Sequence, residues 1–252
     1  MQKFFVISFL SVLVFHSALA QQPSKLPAGP LRMVAIGDSL TEGDRDDDGR
    51  GGYPKRVLEM VQKIRPGSSM KNFGMSGWHT EAVIQGDQGR PDQLSQAEAV
   101  RPQVAFVWIG SNDLWYLYQY NNGDENTDAE DAQRFSNNID TILKKLKSTG
   151  AVMLMGLLDD QTHRPIAKLT GKDSAFPDIS PQEFKRMSQQ VVKYNDIIRK
   201  RAAQYGAIVV DFNKTKIFEG GNGTLADDGN HPNAKGYDQI AQMWFQALQS
   251  KL

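Results

Sequence analysis

The chain has 252 residues, and its 29 basic and 29 acidic side chains give it a formal net charge of zero. Nothing in this balance points to a nucleic acid or an anionic membrane as its partner, so we expect neither. The sequence contains no cysteine, which excludes disulfide bonds, thiol nucleophiles and cysteine-based zinc sites.

Residues 1–20 have the pattern of a secretory signal peptide. Lys3 is followed by an apolar run over residues 4–15 and then by small residues that end at Ala20. This run is shorter than the roughly 20 residues that a membrane-spanning helix needs. We expect cleavage after Ala20 and a secreted or periplasmic mature protein, with a retained membrane anchor as the alternative. Residues 21–30 contain three prolines and predict a flexible lead-in.

Five short apolar segments predict β-strands. They are residues 31–36, 70–73, 104–109, 152–158 and 207–210. Three of them are nearly continuous apolar runs, as expected for strands that are buried on both faces of a sheet. Because strands that alternate with helices form a parallel sheet covered on both faces, residues 31–252 predict a single α/β domain.

Two capping boxes and three apolar stripes predict long helices later in the chain. Thr127 with Glu130, and Ser180 with Glu183, have the spacing of a capping box. A helical repeat of apolar residues follows each pair, and a third repeat lies near the C-terminus. We expect these stripes to face the core. Their positions are Ala132, Phe135, Ile139, Ile142 and Leu146, then Phe184, Met187, Val191, Tyr194 and Ile198, and finally Tyr237, Ile240, Trp244 and Leu248.

Four short segments of small and polar residues follow the predicted strands. They read Gly-Asp-Ser-Leu at 37–40, Gly-Met-Ser-Gly at 74–77, Gly-Ser-Asn-Asp at 110–113 and Asp-Gly-Asn-His at 228–231. Each segment alone is typical of a turn or a helix cap. Parallel strands, however, end at one edge of their sheet, where ligands bind. Together, the four segments therefore predict a functional site at that edge.

The four segments resemble the sequence blocks of the SGNH hydrolases, which are also called GDSL esterases and lipases. Residues 37–40 are the first block of that family without change. Gly77 and Asn112 fall at its glycine and asparagine positions. Asp228 and His231 match its Asp-x-x-His block. The resemblance implies a three-layer α/β/α sandwich with a flavodoxin-like parallel sheet of about five strands.

The resemblance also implies a serine ester hydrolase. Ser39 is then the nucleophile, His231 the base that takes its proton, and Asp228 the acid that orients the imidazole. The oxyanion hole is formed by the backbone N–H groups of Ser39 and Gly77 and by the side chain of Asn112.

Three other residues compete for the roles of base and acid. His79 and His163 are the other histidines of the mature chain, and Asp227 directly precedes Asp228. We prefer His231 as the base because only this histidine has an aspartate at the spacing of the family.

Substrate-binding residues are predicted close to the second and third segments. Trp78, Asp113 and Trp115 are the candidates. Aromatic rings there hold an acyl chain or stack on a sugar, and core packing is an equally favoured explanation. The expected partner is a small-molecule or glycan ester, with small acyl or acetyl groups favoured. A carbohydrate acetyl esterase and a lysophospholipase-like esterase both stay open.

An acidic loop supplies a competing interpretation. Asp44, Asp46 and Asp48 match the first half of a calcium-binding loop, but Lys55 stands where such a loop needs a bidentate glutamate. We therefore expect no required cofactor, with a structural calcium ion at these three residues as the less favoured alternative. A metal-dependent phosphodiesterase that uses this loop, and a carbohydrate-binding protein without turnover, remain alternatives to the esterase.

Overall fold

The computed structural model describes residues 25–120, 125–169 and 174–252. The predicted signal peptide, residues 1–20, and the first part of the predicted lead-in lie outside this part of the chain. Within it, no helix combines the length and the apolar character that crossing a bilayer requires. The end of the lead-in packs on the domain, since Leu26 is buried and its N–H donates to the carbonyl of Lys251 at 2.8 Å.

Five parallel strands form one sheet. They are β1 (Arg32–Gly37), β2 (Ser69–Asn72), β3 (Val104–Trp108), β4 (Val152–Gly156) and β5 (Ile208–Val210). Their order across the sheet is β2-β1-β3-β4-β5. This is the flavodoxin-like order, so the predicted fold class is confirmed. Each strand lies within two residues of its predicted bounds.

Helices cover both faces of this sheet. In the described residues they are α1 (Ser39–Glu42), α2 (Gly52–Ile64), α3 (Thr80–Gln85), α4 (Gln93–Ala99), α5 (Ser111–Tyr120), α6 (Glu125–Ser148), α7 (Pro181–Tyr205) and α8 (Ala234–Gln249), with 3₁₀ helices at Gln161–His163 and Pro165–Lys168. Helix α2 packs on α8, whereas α6 packs on α3, α4 and α7. The chain places β2 on one side of β1 and then adds β3, β4 and β5 on the other side. Because crossovers between parallel strands are right-handed, this reversal places the two groups of helices on opposite faces of the sheet.

One of the two predicted capping boxes is present. Ser180 accepts the backbone N–H of Glu183 at 3.3 Å, and the Glu183 carboxylate accepts the N–H of Ser180 at 2.7 Å. The box predicted at Thr127 is wrong, because α6 begins at Glu125 and Thr127 lies inside its first turn. The apolar stripes face the core as predicted, and only Ala132 and Phe184 among them are partly exposed.

An aromatic cluster supports the carboxyl end of the central strand. Trp108, the last residue of β3, stacks on Phe212 with 4.2 Å between ring centroids and meets Trp244 edge-on at 6.2 Å. Its indole N–H donates to the carbonyl of Leu157 at 3.1 Å. Gly37 pairs with Trp108 across the sheet, so β1 and β3 end side by side on this packed base.

Candidate active site

Ser39 lies at the turn from β1 into α1. Gly37 is required before it, because a Cβ at this position would collide with the carbonyl oxygen of Trp108. Asp38 then caps the short helix by accepting the N–H of Leu40 at 3.0 Å. The Ser39 N–H has no hydrogen-bond acceptor among the described residues, and the residue lines a cleft at this edge of the sheet.

Gln93 fixes the backbone just before the nucleophile. Its side-chain oxygen accepts the N–H of Gly37 and its nitrogen donates to the Gly37 carbonyl, both at 2.8 Å. The end of β4 is held in the same way by Asn195, whose amide makes both hydrogen bonds to Leu158 at 2.8 Å. Sequence reasoning missed both side chains, since each is a buried amide on a helix far along the chain from the backbone it holds.

Ser39, His231 and Asp228 form a continuous hydrogen-bonded chain. The Ser39 hydroxyl lies 3.0 Å from Nε2 of His231, and Nδ1 of His231 lies 2.7 Å from Oδ2 of Asp228. The other Asp228 oxygen accepts the backbone N–H of His231 at 3.0 Å. With a proton on Nδ1 facing the carboxylate, Nε2 is free to accept the serine proton. The structure thus brings the predicted nucleophile, base and acid together.

The two competing histidines and the competing aspartate lie elsewhere. His79 caps α3 through its Nδ1 atom. His163 has an exposed side chain in a 3₁₀ helix and does not line the cleft. Asp227 is exposed, and the imidazole of His231 is bound by Asp228 instead. Within the described part of the chain, only His231 forms a hydrogen bond with the Ser39 hydroxyl.

Gly77 and Asn112 line the same cleft as Ser39. The φ angle of Gly77 is 77°, a left-handed conformation that favours glycine, and its N–H has no acceptor in the described residues. The side-chain nitrogen of Asn112 donates one hydrogen to the carbonyl of Trp78 at 2.8 Å. Because an amide nitrogen carries two hydrogens, a second one is left for an oxyanion.

The cleft is small, with a volume of about 200 Å³. Beyond the residues already placed, its walls include Ser76, Trp115, Tyr116, Gln119, Arg164 and Phe176. Trp115 stacks on Phe176 with 4.0 Å between ring centroids and 11° between ring planes. This pair gives the cleft an apolar surface beside its polar groups, an arrangement suited to the acyl part of an ester.

Only one of the three predicted substrate-binding residues reaches the cleft. Trp115 lines it, whereas the side chains of Trp78 and Asp113 are buried in the domain. Asp113 accepts the backbone N–H of Thr80 at 2.9 Å and its hydroxyl at 2.5 Å, and so ties α3 to α5. Trp78 contributes its carbonyl to the Asn112 side chain instead.

Arg164 is a buried charge beside the site that sequence reasoning missed. Its guanidinium binds both oxygens of Asp159, at 2.8 and 2.7 Å, and donates to Oδ1 of Asn230 at 2.8 Å. It also lies over the ring of Phe218, 4.7 Å from the centroid. Because Asn230 directly precedes His231, this buried ion pair holds the segment that carries the base in place.

Burial and hydrogen bonding shift the pKa values of three carboxyl groups at this edge. Burial raises the pKa of Asp38 to about 7, against a backbone hydrogen bond and the positive charge of Arg164. Burial likewise raises the pKa of Asp113, against its hydrogen bonds. The pKa of Asp228 is lowered, because the effect of its burial is outweighed by hydrogen bonds from His231 and Asn230 together with the charge of the imidazole. Asp228 is therefore the carboxylate that stays charged beside the imidazole.

A buried arginine of α2 binds the acidic loop that follows α1. Arg56 is 3 % exposed, and it donates to Asp46 at 2.9 Å and to Asp48 at 3.0 Å. Asp44 accepts the hydroxyl of Ser76 at 2.8 Å. In the residues that the structure describes, no group of three or more histidine, aspartate or glutamate side chains is arranged to hold a metal ion. These contacts give no support to the phosphodiesterase alternative.

Calcium is expected to leave the melting temperature unchanged. A cation at Asp46 and Asp48 would have to displace the buried guanidinium of Arg56, and a ligand that does not bind the native state cannot stabilise it. Thermal unfolding in millimolar calcium chloride, with magnesium chloride at equal ionic strength as the control, measures this. A melting temperature that rises with calcium alone would restore the calcium site.

Known proteins resemble this chain in sequence and in fold. A model of the GDSL-like lipase/acylhydrolase family matches residues 35–239. A multidomain esterase of Ruminococcus flavefaciens is 23% identical over 89% of the chain, which spans 29% of that protein's length. LAE5, an alpha/beta hydrolase enzyme from the metagenome of Lake Arreo, Spain, superposes with a TM-score of 0.62 at 18% identity, covering 89% of this chain and 98% of that one. For Axe2, an acetylxylan esterase from Geobacillus stearothermophilus, the TM-score is 0.58 at 18% identity, with 87% and 95% covered.

Proposed function

The chain belongs to the GDSL-like lipase/acylhydrolase family, and from that membership we propose that it is a serine esterase that removes short acyl groups from carboxylic esters. One observation carries the proposal. The hydroxyl of Ser39 lies 3.0 Å from Nε2 of His231, whose Nδ1 lies 2.7 Å from Asp228. The same cleft contains the N–H groups of Ser39 and Gly77, which have no acceptor among the residues that the structure describes. A serine hydroxyl is a weak nucleophile without such a base.

The acyl-transfer step follows from this geometry. The Ser39 oxygen attacks the ester carbonyl carbon while its proton passes to Nε2 of His231. The carbonyl oxygen becomes an oxyanion, which accepts hydrogen bonds from the N–H groups of Ser39 and Gly77 and from the side chain of Asn112. Asp228 stabilises the imidazolium that forms.

Two further proton transfers complete the cycle. When the tetrahedral intermediate collapses, the bond to the alcohol oxygen breaks and His231 gives its proton to that oxygen. Water then attacks the acyl group on Ser39, with His231 again acting as the base, and the acid product and the free serine are released. The chemistry requires no metal and no cofactor.

The size of the cleft favours a short acyl group. Its volume is about 200 Å³, and the stacked pair of Trp115 and Phe176 closes one side. The fold similarity to an acetylxylan esterase supports a carbohydrate as the alcohol part, so we propose acetylated glycans as the substrate class. The pattern of residues 1–20 supports secretion, which would bring the enzyme into contact with such glycans.

A second candidate is an esterase of longer acyl chains. A groove of about 470 Å³ shares Phe176 with the cleft. Its lining includes the apolar residues Ala167, Leu169, Ile179 and Phe184 together with the polar residues Thr162, Lys168 and Ser174. A lysophospholipid would place its acyl chain there. The groove favours this candidate only if the wall at Phe176 moves, since that ring stacks on Trp115 in the structure.

Two measurements test the proposal. The first is turnover of p-nitrophenyl acetate, butyrate and octanoate and of acetylated xylan, all in the presence of EDTA. We expect the acetate ester to be the best of the aryl esters and acetate to be released from xylan, whereas an octanoate preference would favour the second candidate. The second is labelling with a fluorophosphonate, with the modified residue located by mass spectrometry. An adduct at a residue other than Ser39, or turnover that requires a divalent ion, would refute the serine mechanism.

A further inference from the structure

One face of α5 forms hydrogen bonds with the loop that contains Gly77, whose N–H belongs to the proposed oxyanion hole. Asn112 and Tyr116 are four residues apart, so their side chains lie on the same side of the helix. Asn112 donates to the carbonyl of Trp78 at 2.8 Å, and the Tyr116 hydroxyl donates to the carbonyl of Gly77 at 2.7 Å. Two consecutive carbonyls of the loop are therefore held by one turn of one helix.

The Gly77 peptide needs such support because glycine restricts its own backbone less than any other residue. The Gly77 N–H belongs to the peptide that joins Ser76 to Gly77. The peptide before that one is fixed by the N–H of Ser76, which donates to the Glu42 carboxylate at 2.5 Å. The peptide after Gly77 is held on both sides, since its N–H, that of Trp78, donates to the carbonyl of Met75 at 3.2 Å and its carbonyl, that of Gly77, accepts the Tyr116 hydroxyl at 2.7 Å. The N–H of Gly77, which has no acceptor in the described residues, is thus held between two anchored peptides.

The ring of Tyr116 is itself well placed. It is partly buried, it meets the imidazole of His79 edge-on at 5.7 Å, and it contacts Tyr120 at the same distance. Burial raises the pKa of the Tyr116 hydroxyl, so the hydroxyl stays protonated at neutral pH and can donate a hydrogen bond. A Cβ added at Gly77 would lie 3.3 Å from this hydroxyl, which shows how closely the ring is packed on the loop.

We propose that Tyr116 is a positioning residue of the oxyanion hole, and that its hydroxyl bond to the Gly77 carbonyl fixes the direction of the Gly77 N–H. The inference rests on the proposed esterase function. Because the oxyanion exists only in the transition state and in the tetrahedral intermediate, a misdirected N–H lowers kcat and leaves the binding of the ester unchanged.

The test compares Tyr116→Phe with Tyr120→Phe. Both variants remove one phenol hydroxyl from the same helix, but Tyr120 is 69% exposed, and among the described residues it is the Tyr116 hydroxyl that bonds to the loop. For p-nitrophenyl acetate we expect Tyr116→Phe to lower kcat about fivefold, the effect of one neutral hydrogen bond, with KM unchanged. The Tyr120→Phe variant should match the wild type. Rates are normalised to active sites titrated with a fluorophosphonate, so a partly unfolded sample does not count as a slow one.

A second readout reports on the oxyanion hole directly. Phenylboronic acid adds to a catalytic serine as a tetrahedral anion, so its inhibition constant should rise about fivefold in Tyr116→Phe and stay constant in Tyr120→Phe. An unchanged kcat and inhibition constant in Tyr116→Phe would overturn the inference. So would a raised KM with unchanged kcat, which would make Tyr116 a substrate contact. If instead the wild type does not cleave the ester, or cleaves it without labelling at Ser39, the proposed function fails before the variants are compared.

Discussion

Replacing Ser39 with alanine is expected to lower kcat/KM for p-nitrophenyl acetate by at least about 10⁴-fold. The variant has no nucleophile within reach of His231, since the Ser39 hydroxyl is the only one that forms a hydrogen bond with this imidazole in the described part of the chain. The rest of the oxyanion hole and the cleft remain, so a small residual rate is expected. Steady-state kinetics with a matched enzyme concentration measure the loss.

The matched control is Ser76→Ala, which removes a second serine hydroxyl from the same cleft. The Ser76 hydroxyl donates to Asp44 at 2.8 Å and has no hydrogen bond to His231 within the described residues. We expect this variant to keep kcat/KM within about threefold of the wild type, because it loses one exposed hydrogen bond and keeps the backbone N–H bond to Glu42 that anchors the loop. Equal losses in the two variants would contradict the assignment of Ser39, as would full activity in Ser39→Ala. Both proteins should melt within a few degrees of the wild type.

The sequence predicted the sheet and most of the site because both depend on local signals. Buried parallel strands appear as short apolar runs, and the residues after those runs meet at one edge of the sheet whatever the connecting helices are. For this reason the apolar runs alone indicate the four strand-end segments, whereas the roles of their residues follow from the resemblance to the SGNH hydrolases. Ser39, His231 and Asp228 then proved to be in hydrogen-bond contact.

The residues that hold the site were missed for a physical reason. Gln93 acts on the backbone of a glycine 56 residues earlier in the chain, and Arg164 acts on a residue 66 positions later. Their partners are peptide groups and loop residues that no sequence spacing indicates. Tyr116 was not among the predicted substrate-binding residues, although its position four residues after Asn112 places both side chains on one helix face.

The predictions that failed depend on which side chains are buried and on where helices begin, and the shortest helices were not predicted. Asp113 was assigned to the substrate, but its carboxylate is turned inward to the N-terminus of α3, an interaction that depends on how α3 and α5 pack. The capping box at Thr127 failed because the same residue pair also fits the first turn of a helix that begins earlier. Helices such as α3 and α4 have six and seven residues, too few turns to show a clear apolar period.

Replacing Asp228 with asparagine is expected to lower kcat by about 10³- to 10⁴-fold with little change in KM. The amide of the new side chain would donate to Nδ1 of His231, so the imidazole would carry its proton on Nε2 and face Ser39 with the wrong tautomer. Lowering the pH of the wild-type protein is a poor test of this role. The pKa of Asp228 lies below its ordinary value, so the carboxylate stays charged as the pH falls until it reaches that lowered pKa.

The neighbouring Asp227→Asn variant is the control that separates orientation of the base from a general loss of negative charge. Both substitutions remove one charge from the same loop, but Asp227 is exposed and Asp228 binds the imidazole at 2.7 Å. We expect Asp227→Asn to keep kcat within about twofold of the wild type, since a change in a surface charge has little effect on a rigid site. If Asp227→Asn were instead the slower variant, the orienting acid would be Asp227. If both variants were fully active, His231 would act without an orienting carboxylate, and the hydrogen bonds from Asp228 to the imidazole and backbone of His231 would serve only to fix the loop.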